Sequence, residues 1–278
     1  MLMREIDLHT HSTASDGTLS PRQIVELAKK TGLKAIAITD HDTISAFEEA
    51  FAAGKELGVE VIPGIEISTK YLGPVHILGY YFDPASPEIK PVLDWIVKDR
   101  DRRNQKLALL MAADGLPVNY EDMKKRFGSV IGRPHFGRLL VEFGLAESIS
   151  NAFDKFLEKG KKYYIPRNFL SIESSIELIC HAGGIAVLAH PFQYKRDDAG
   201  LRALIEYCIK CGLKGMECRY SGYNEDQVSY LEALADEYGL LKTGGSDFHG
   251  SNKPHIMLGC GIENELNVPY SFLEALKD

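Results

Sequence analysis

Residues 4 to 11, Arg4-Glu5-Ile6-Asp7-Leu8-His9-Thr10-His11, are the stretch from which the fold can be read. It reads as a strand, with Ile6 and Leu8 alternating with Asp7 and His9, and the two-residue period of a strand puts the imidazoles of His9 and His11 on one face, a geometry suited to a metal ion. An H-x-H pair alone says little. Its weight comes from the rest of the chain.

Working outward, a helix is expected from Pro21, with Ser20 as N-cap and Gln23 as its capping-box partner. KAIAITD (34–40) reads as a second strand, TISAFEEAFAAGKELG (43–58) as a helix, VEVIPGIEIS (59–68) as a third strand and VHILGYYFD (75–83) as a fourth, close enough to the third for a hairpin-like pairing. Further along come a helix around SIESSIELICHAGG (171–184), the strand IAVLAHP (185–191), a helix from Leu201 to Cys211 and the strand GMECRYS (215–221). A helix opened by Asn224 with Gln227 in the capping box leads to the last strand, LLKTGGSDFHG (240–250). About seven strands alternating with helices predict a mainly parallel, barrel-like α/β fold. No G-x-G-x-x-G argues for a dinucleotide, and no fixed-period repeat is present.

Between Pro87 and Pro166 the strand signal gives way to helical periodicity, in residues 91–115, 120–128, 134–144 and 148–160. Residues 90 to 167 hold 16 Lys and Arg against 10 Asp and Glu, while the whole chain carries −7. The expectation is a barrel domain of residues 1–86 and 167–278, with residues 87–166 inserted as a basic helical cap beside the barrel mouth. An acidic barrel suits cations, and a basic insertion suits an anionic substrate. The five cysteines are odd in number and without framework spacing, so reduced thiols are expected, and the Cys208-x-x-Cys211 pair lies inside a helical run. Neither the first residues, MLMREIDLHTHS, nor any later run has the apolar length of a secretory segment or a membrane span, and a cytoplasmic location with no membrane partner is expected. The sequence shows no obligate protein partner.

Nearly every expected strand delivers a ligand-type residue at or just past its C-terminal end. Asp16 follows the first, Asp40 and His41 the second, Glu66 lies near the end of the third, His190 ends IAVLAHP, and Asp247 and His249 end the last. His76 opens the fourth strand and breaks the pattern. In parallel α/β barrels such ends converge on one mouth. Imidazole with carboxylate and no thiolate suits zinc, iron or manganese. Six of the nine histidines belong to this set; His181 and His255 read as structural.

The strings DLHTHSTASDGTLSP, ITDHDT, PGIEIS, VHILGY, LAHP and GSDFH resemble, in order and over nearly the whole chain, the successive motifs of the PHP (polymerase and histidinol phosphatase) phosphoesterases. DGTLSP and GRPHFGRLLVEFG are similar to the branch of nucleotide 3′,5′-bisphosphate phosphatases and 5′ to 3′ exoribonucleases, the ribonuclease AM group. The resemblance implies a distorted (β/α)7 barrel with a helical insertion and two to three divalent ions, of manganese, iron or zinc. His9, His11, Glu66 and Asp247 are implied to hold one; Glu66, as a bridge, with His76 and His190 a second; Asp16, His41 and His249 a third, with Asp40 positioning His41. Glu66, Asp247 and His190 are the catalytic candidates, and a hydroxide bridging two ions is implied to attack phosphorus. The substrate is expected to be a nucleotide or short RNA.

Arg133 precedes Pro134 at an expected helix start, and a helix N-terminus with a guanidinium fork makes a site for a phosphate. His135 and Arg138 are further substrate-binding candidates, and Tyr220 is a candidate for stacking on a base. Two other functions remain open at this point, a histidinol-phosphate-type phosphatase and a metal-binding module without turnover.

Overall fold

The computed structural model describes residues 5–128 and 131–277; Arg4, the expected first residue of the opening strand, lies outside them. Seven strands form one sheet in chain order: β1 (Ile6–Thr10), β2 (Ala35–Ile38), β3 (Glu60–Lys70), β4 (Pro74–Tyr80), β5 (Ile185–Leu188), β6 (Gly215–Tyr220) and β7 (Leu241–Gly245). The pairs β1/β2, β2/β3, β5/β6 and β6/β7 are parallel. β4 runs antiparallel to both neighbours, pairing with β3 from Gly64 to Lys70 and with β5 from Ile77 to Tyr80. The edges meet where the His11 amide donates to Phe248 O (2.9 Å) and the Asp247 amide to His9 O (2.8 Å), which nearly closes a barrel.

Two local facts position the site. A Cβ at Gly245 would lie 2.4 Å from both the amide nitrogen and the Cβ of His9, so only glycine lets β7 come this close to β1. The reversed direction of β4 brings its first residues to the mouth where the parallel strands end. His76 is therefore no exception: an N-terminal residue of an antiparallel strand reaches the same rim.

The connecting helices are α1 (Pro21–Thr31), α2 (Phe47–Leu57), α7 (Ile172–His181), α8 (Asp198–Lys210), α9 (Glu225–Tyr238) and α10 (Tyr270–Ala275), with α3 (Ile89–Ala113), α4 (Tyr120–Phe127), α5 (Arg133–Glu142) and α6 (Ile149–Ala152) between β4 and α7. Both capping boxes, Ser20 with Gln23 and Asn224 with Gln227, are formed. α2 starts four residues later than its pattern suggests, because the Ser45 amide donates to Thr43 Oγ1 and the Phe47 amide to Ile44 O, a turn that precedes the helix. The helix expected over 148–160 leaves α-helical pairing at Phe153 for a π-helical turn, Phe153–Leu157, which Arg133 touches. α10 went unread because six residues are too few for a periodic signal.

Apolar side chains of α1 and α2 (Ile24, Ala28, Ala50, Ala53) pack against β2. Leu107, Met111, Met123, Phe136, Leu140 and Leu157 form a separate core between β4 and α7. α3 joins both regions, since Ile89, Leu93 and Ile96 near its start belong to the barrel's cluster. Among the described residues no helix is long and apolar enough to cross a membrane.

Candidate metal centre and substrate site

All nine sequence-predicted ligand residues meet at one mouth. Around Glu66 of β3, Oε1 lies 2.7 Å from His76 Nδ1 and 3.0 Å from His190 Nε2, and Oε2 lies 2.9 Å from His41 Nδ1, 3.2 Å from His11 Nε2 and 3.5 Å from His9 Nε2. Asp247 Oδ1 is 3.3 Å from His11 Nε2 and 3.6 Å from His9 Nε2, and Asp16 Oδ1 is 3.3 Å from His249 Nε2. Three sets of donor atoms are close enough together to share an ion: His11, Asp16, His41 and His249; His9, His11 and Asp247; His41, Glu66 and His76. His11 and His41 each appear in two sets, which makes this one continuous cluster.

The buried atoms His9 Nε2, His11 Nδ1 and Nε2, His41 Nδ1 and Glu66 Oε2 have no hydrogen-bond partner among the described residues. Unpartnered buried polar atoms are strongly disfavoured, and imidazole nitrogens facing carboxylate oxygens are the donor set of a divalent transition ion. These residues fit such ions. Burial opposes the charge on Glu66, but His41, His76 and His9 overcome it and hold the carboxyl well below its usual range. Burial opposes Asp247 likewise, where Lys253 and His249 prevail, and Asp16, where His249 and His41 prevail. Burial disfavours a charged His11, yet Asp247 and Glu66 push it up to about 9, whereas burial together with Lys253 and His11 drives His249 down to about 4. The mouth is thus a field that draws positive charge to its centre.

A surrounding layer fixes these ligands. Glu217 of β6, fully buried, lies 2.9 Å from His9 Nδ1 and accepts from the His190 amide through its other oxygen (2.7 Å). With that nitrogen carrying the proton, His9 turns the lone pair of Nε2 to the centre. Sequence reasoning missed Glu217; a carboxylate in the middle of the strand GMECRY was the available signal. Lys253 Nζ (2.5 Å) and the Tyr220 hydroxyl (2.6 Å) both donate to Asp247 Oδ2. Tyr220 is buried, edge-on to His9 and His190, so its ring is not displayed for a base. Asp40, expected to orient His41, instead accepts from the Ser12 amide and the Ser12 and Ser15 hydroxyls, bracing the loop that carries Asp16. His190 (φ 25°) and Asp247 (φ 55°) hold left-handed backbones, a strain common at functional positions.

Beside this anionic mouth stands a cationic group that the sequence showed only in part. Arg100 and Arg167 both pair with Asp42, the residue after His41. Asp99 accepts from the amide and side chain of Asn168 (2.9 and 3.0 Å), fixing the segment bearing Arg167 against α3. Arg103, one turn on from Arg100, is 6% exposed and makes no hydrogen bond or ion pair among the described residues. Burial, with Arg100, Arg167 and Arg133 nearby, pushes it well below the usual guanidinium range. Arg133, half-buried, reaches Leu157 O (3.4 Å) and faces the Phe153 ring (5.3 Å). His135 is buried and accepts the Gly132 amide at Nδ1 (2.9 Å), so it shapes the start of α5, next to Asp16. Arg138 is paired with Glu142 on the surface. His181 and His255 are exposed, and Cys208 and Cys211 are free thiols outside every ligand set.

A model of the PHP domain matches residues 7–219. The chain is 37% identical over 249 residues to a 5′-3′ exoribonuclease of Haemophilus influenzae, covering 89% of this chain and 91% of that one. It is 34% identical over 254 residues to a 3′,5′-nucleoside bisphosphate phosphatase of Chromobacterium violaceum, covering 89% and 88%. A solved structure from Bifidobacterium adolescentis, described as a candidate metal-dependent phosphoesterase, superposes with a TM-score of 0.87 at 32% identity, over 99% of this chain and 96% of that one.

Proposed function

This chain belongs to the PHP domain family of metal-dependent phosphoesterases, and we propose that it hydrolyses the 3′ phosphoester of a nucleotide that also bears a 5′-phosphate. That description covers the 3′-phosphate of a 3′,5′-bisphosphonucleotide and the first linkage of a short 5′-phosphorylated RNA. The observation that carries it is Arg103: a guanidinium held at 6% exposure among three other arginines, with no ion-pair partner among the described residues and its buried Nε without a hydrogen bond, calls for an anion from outside. A substrate phosphate meets that need, with Arg133 offering a planar fork at the start of α5. The named activities of the Haemophilus and Chromobacterium relatives support both substrates.

In this reading residues 87–166 act as a cap that carries the arginines, and the nine mouth residues hold two to three ions of manganese, iron or zinc. Such ions, when bound, acidify water and neutralise phosphoryl oxygens. Glu66, Asp247 and His190 are the catalytic candidates by their place at the centre. Glu217 keeps the His9 proton on Nδ1, while Tyr220 and Lys253 hold Asp247 Oδ2 and leave Oδ1 for the centre. Arg103 and Arg133 fix the non-reacting phosphate, which sets the 3′ ester over the imidazoles. In the same reading the enzyme acts in the cytoplasm.

A phosphate-release assay with added manganese tests this directly. Adenosine 3′,5′-bisphosphate should be turned over with a kcat/KM well above that of adenosine 3′-monophosphate or histidinol phosphate. Equal rates on the three would remove the second-phosphate argument, and preference for histidinol phosphate would replace it.

A further inference from the structure

A cavity adjoins the mouth at His76 and His190, and its lining does not include the arginines that pair with Asp42. Those arginines approach the mouth at Asp42, beside His41; from His41 a row of imidazoles runs through His76 (ring centroids 5.3 Å apart) to His190 (5.1 Å further). His76 and His190 wall a cavity of about 240 Å3. Its other walls are the tip of the β3–β4 hairpin, with Leu72 and Pro74, and the turn after β5, with Tyr194, Lys195 and Arg196.

The two walls are built as a pair. Arg196 Nη2 donates to Tyr71 O (2.5 Å) and its guanidinium lies over the Tyr71 ring (5.5 Å), while Tyr71 stacks on Tyr207 (4.7 Å). Arg196 Nε is buried without a hydrogen-bond partner among the described residues. Leu72, 86% exposed, and Lys195, also exposed, both hold left-handed backbones (φ 50° and 51°) that disfavour such side chains. A large apolar side chain and two cations are thus presented around a cavity that two ligand imidazoles help to line. None of them contributes to the centre itself.

Building on the function proposed above, we propose that this cavity is the seat of the second nucleotide of a single-stranded RNA, the one that continues the chain beyond the scissile phosphate. Leu72 and Pro74 supply apolar surface for its sugar and base, and Lys195 and Arg196 meet the next phosphate, without reading sequence. The chemistry agrees with this placement. Water's oxygen bonds to phosphorus, the bond from phosphorus to the 3′ oxygen of the first nucleotide breaks, that oxygen leaves with a proton, and the phosphate remains on the 5′ oxygen of the second nucleotide. The second nucleotide therefore ends with the 5′-phosphate that the arginines hold in the next round, and a shift of one place along the imidazole row sets up another cut. A 3′,5′-bisphosphonucleotide has nothing to put in the cavity.

The test compares two substrates on full-length, manganese-loaded protein: adenosine 3′,5′-bisphosphate and a 5′-phosphorylated RNA pentamer. In Lys195→Glu and in Leu72→Asp, kcat/KM on the pentamer should fall about 10-fold or more, as expected for a lost phosphate or apolar contact turned repulsive. Bisphosphate turnover should stay within about twofold, as neither residue meets that substrate. The salt dependence of the pentamer's KM should also flatten in Lys195→Glu. Parallel losses on both substrates, or no loss on either, overturn the assignment. A wild-type enzyme that cleaves the bisphosphate and leaves the pentamer intact overturns this inference alone, whereas one that cleaves neither overturns the function on which it rests.

Discussion

The mouth of the barrel and the arginine group beside it carry opposite charges, and the chain builds them in different ways. Each mouth ligand sits on a strand or in the loop that follows one, and a surrounding layer that includes Glu217, Tyr220 and Asp40 braces them. The arginines come from two helices and a connecting segment: Arg100 and Arg167 share the carboxylate of Asp42, Arg133 reaches a backbone oxygen and a ring, and Arg103 has no ion-pair partner among the described residues. In the function proposed above, the mouth is prepared for cations that stay, and the arginine group for an anion that comes and goes. A permanent partner for Arg103 would neutralise the site when empty and compete with substrate when full.

The largest effect that separates the two regions should come from Glu66→Ala. Glu66 faces five imidazoles, so its loss should lower turnover of every substrate by several orders of magnitude and reduce bound metal, measured by elemental analysis beside wild-type protein carrying more than one ion per chain. Wild-type metal content with intact turnover would show that the carboxylate is structural.

Arg133→Ala should act on the other region alone. Removing a charge-assisted contact to a non-reacting phosphate costs about 2 to 3 kcal/mol, hence roughly 30- to 200-fold in kcat/KM on the 3′,5′-bisphosphate, with little effect on a 3′-monophosphate and none on metal content. Lysine there should recover only part of the loss, keeping charge without the fork. Equal losses on both substrates would put Arg133 on the reacting phosphate.

A smaller effect, of opposite sign in stability, is expected of Arg103→Met. Replacing a buried, unpaired cation by an apolar chain of similar length should stabilise the ligand-free protein by about 1 to 2 kcal/mol in chemical denaturation, while bisphosphate turnover falls. Loss of stability instead would mean that Arg103 is paired in solution. Tyr220→Phe should have the least effect: one hydrogen bond to Asp247 is gone, worth about 1 kcal/mol and so roughly fivefold in kcat, with KM unchanged. A defect confined to oligonucleotide binding would return Tyr220 to a base-stacking role.

The difference between the regions also separates what could be read from the sequence from what could not. His9, His11, Asp16, His41, Glu66, His190, Asp247 and His249 were legible because strand periodicity and barrel topology tie a position in the sequence to a position at the rim. Even His76, out of step in the pattern, needed only the reversal of β4 to join them. The family, the barrel and both capping boxes come from the same short-range order. Arg100, Arg103 and Arg167 were not legible. In sequence they look like three more charges in a basic stretch, and only the packing of α3 against the barrel, with the Asp99 to Asn168 bonds pinning the following segment, turns them inward and leaves Arg103 without an ion-pair partner among the described residues. Glu217 was hidden by the same kind of reason: a strand shows which faces alternate, but which face meets His9 is settled only when β6 curves round the closed barrel.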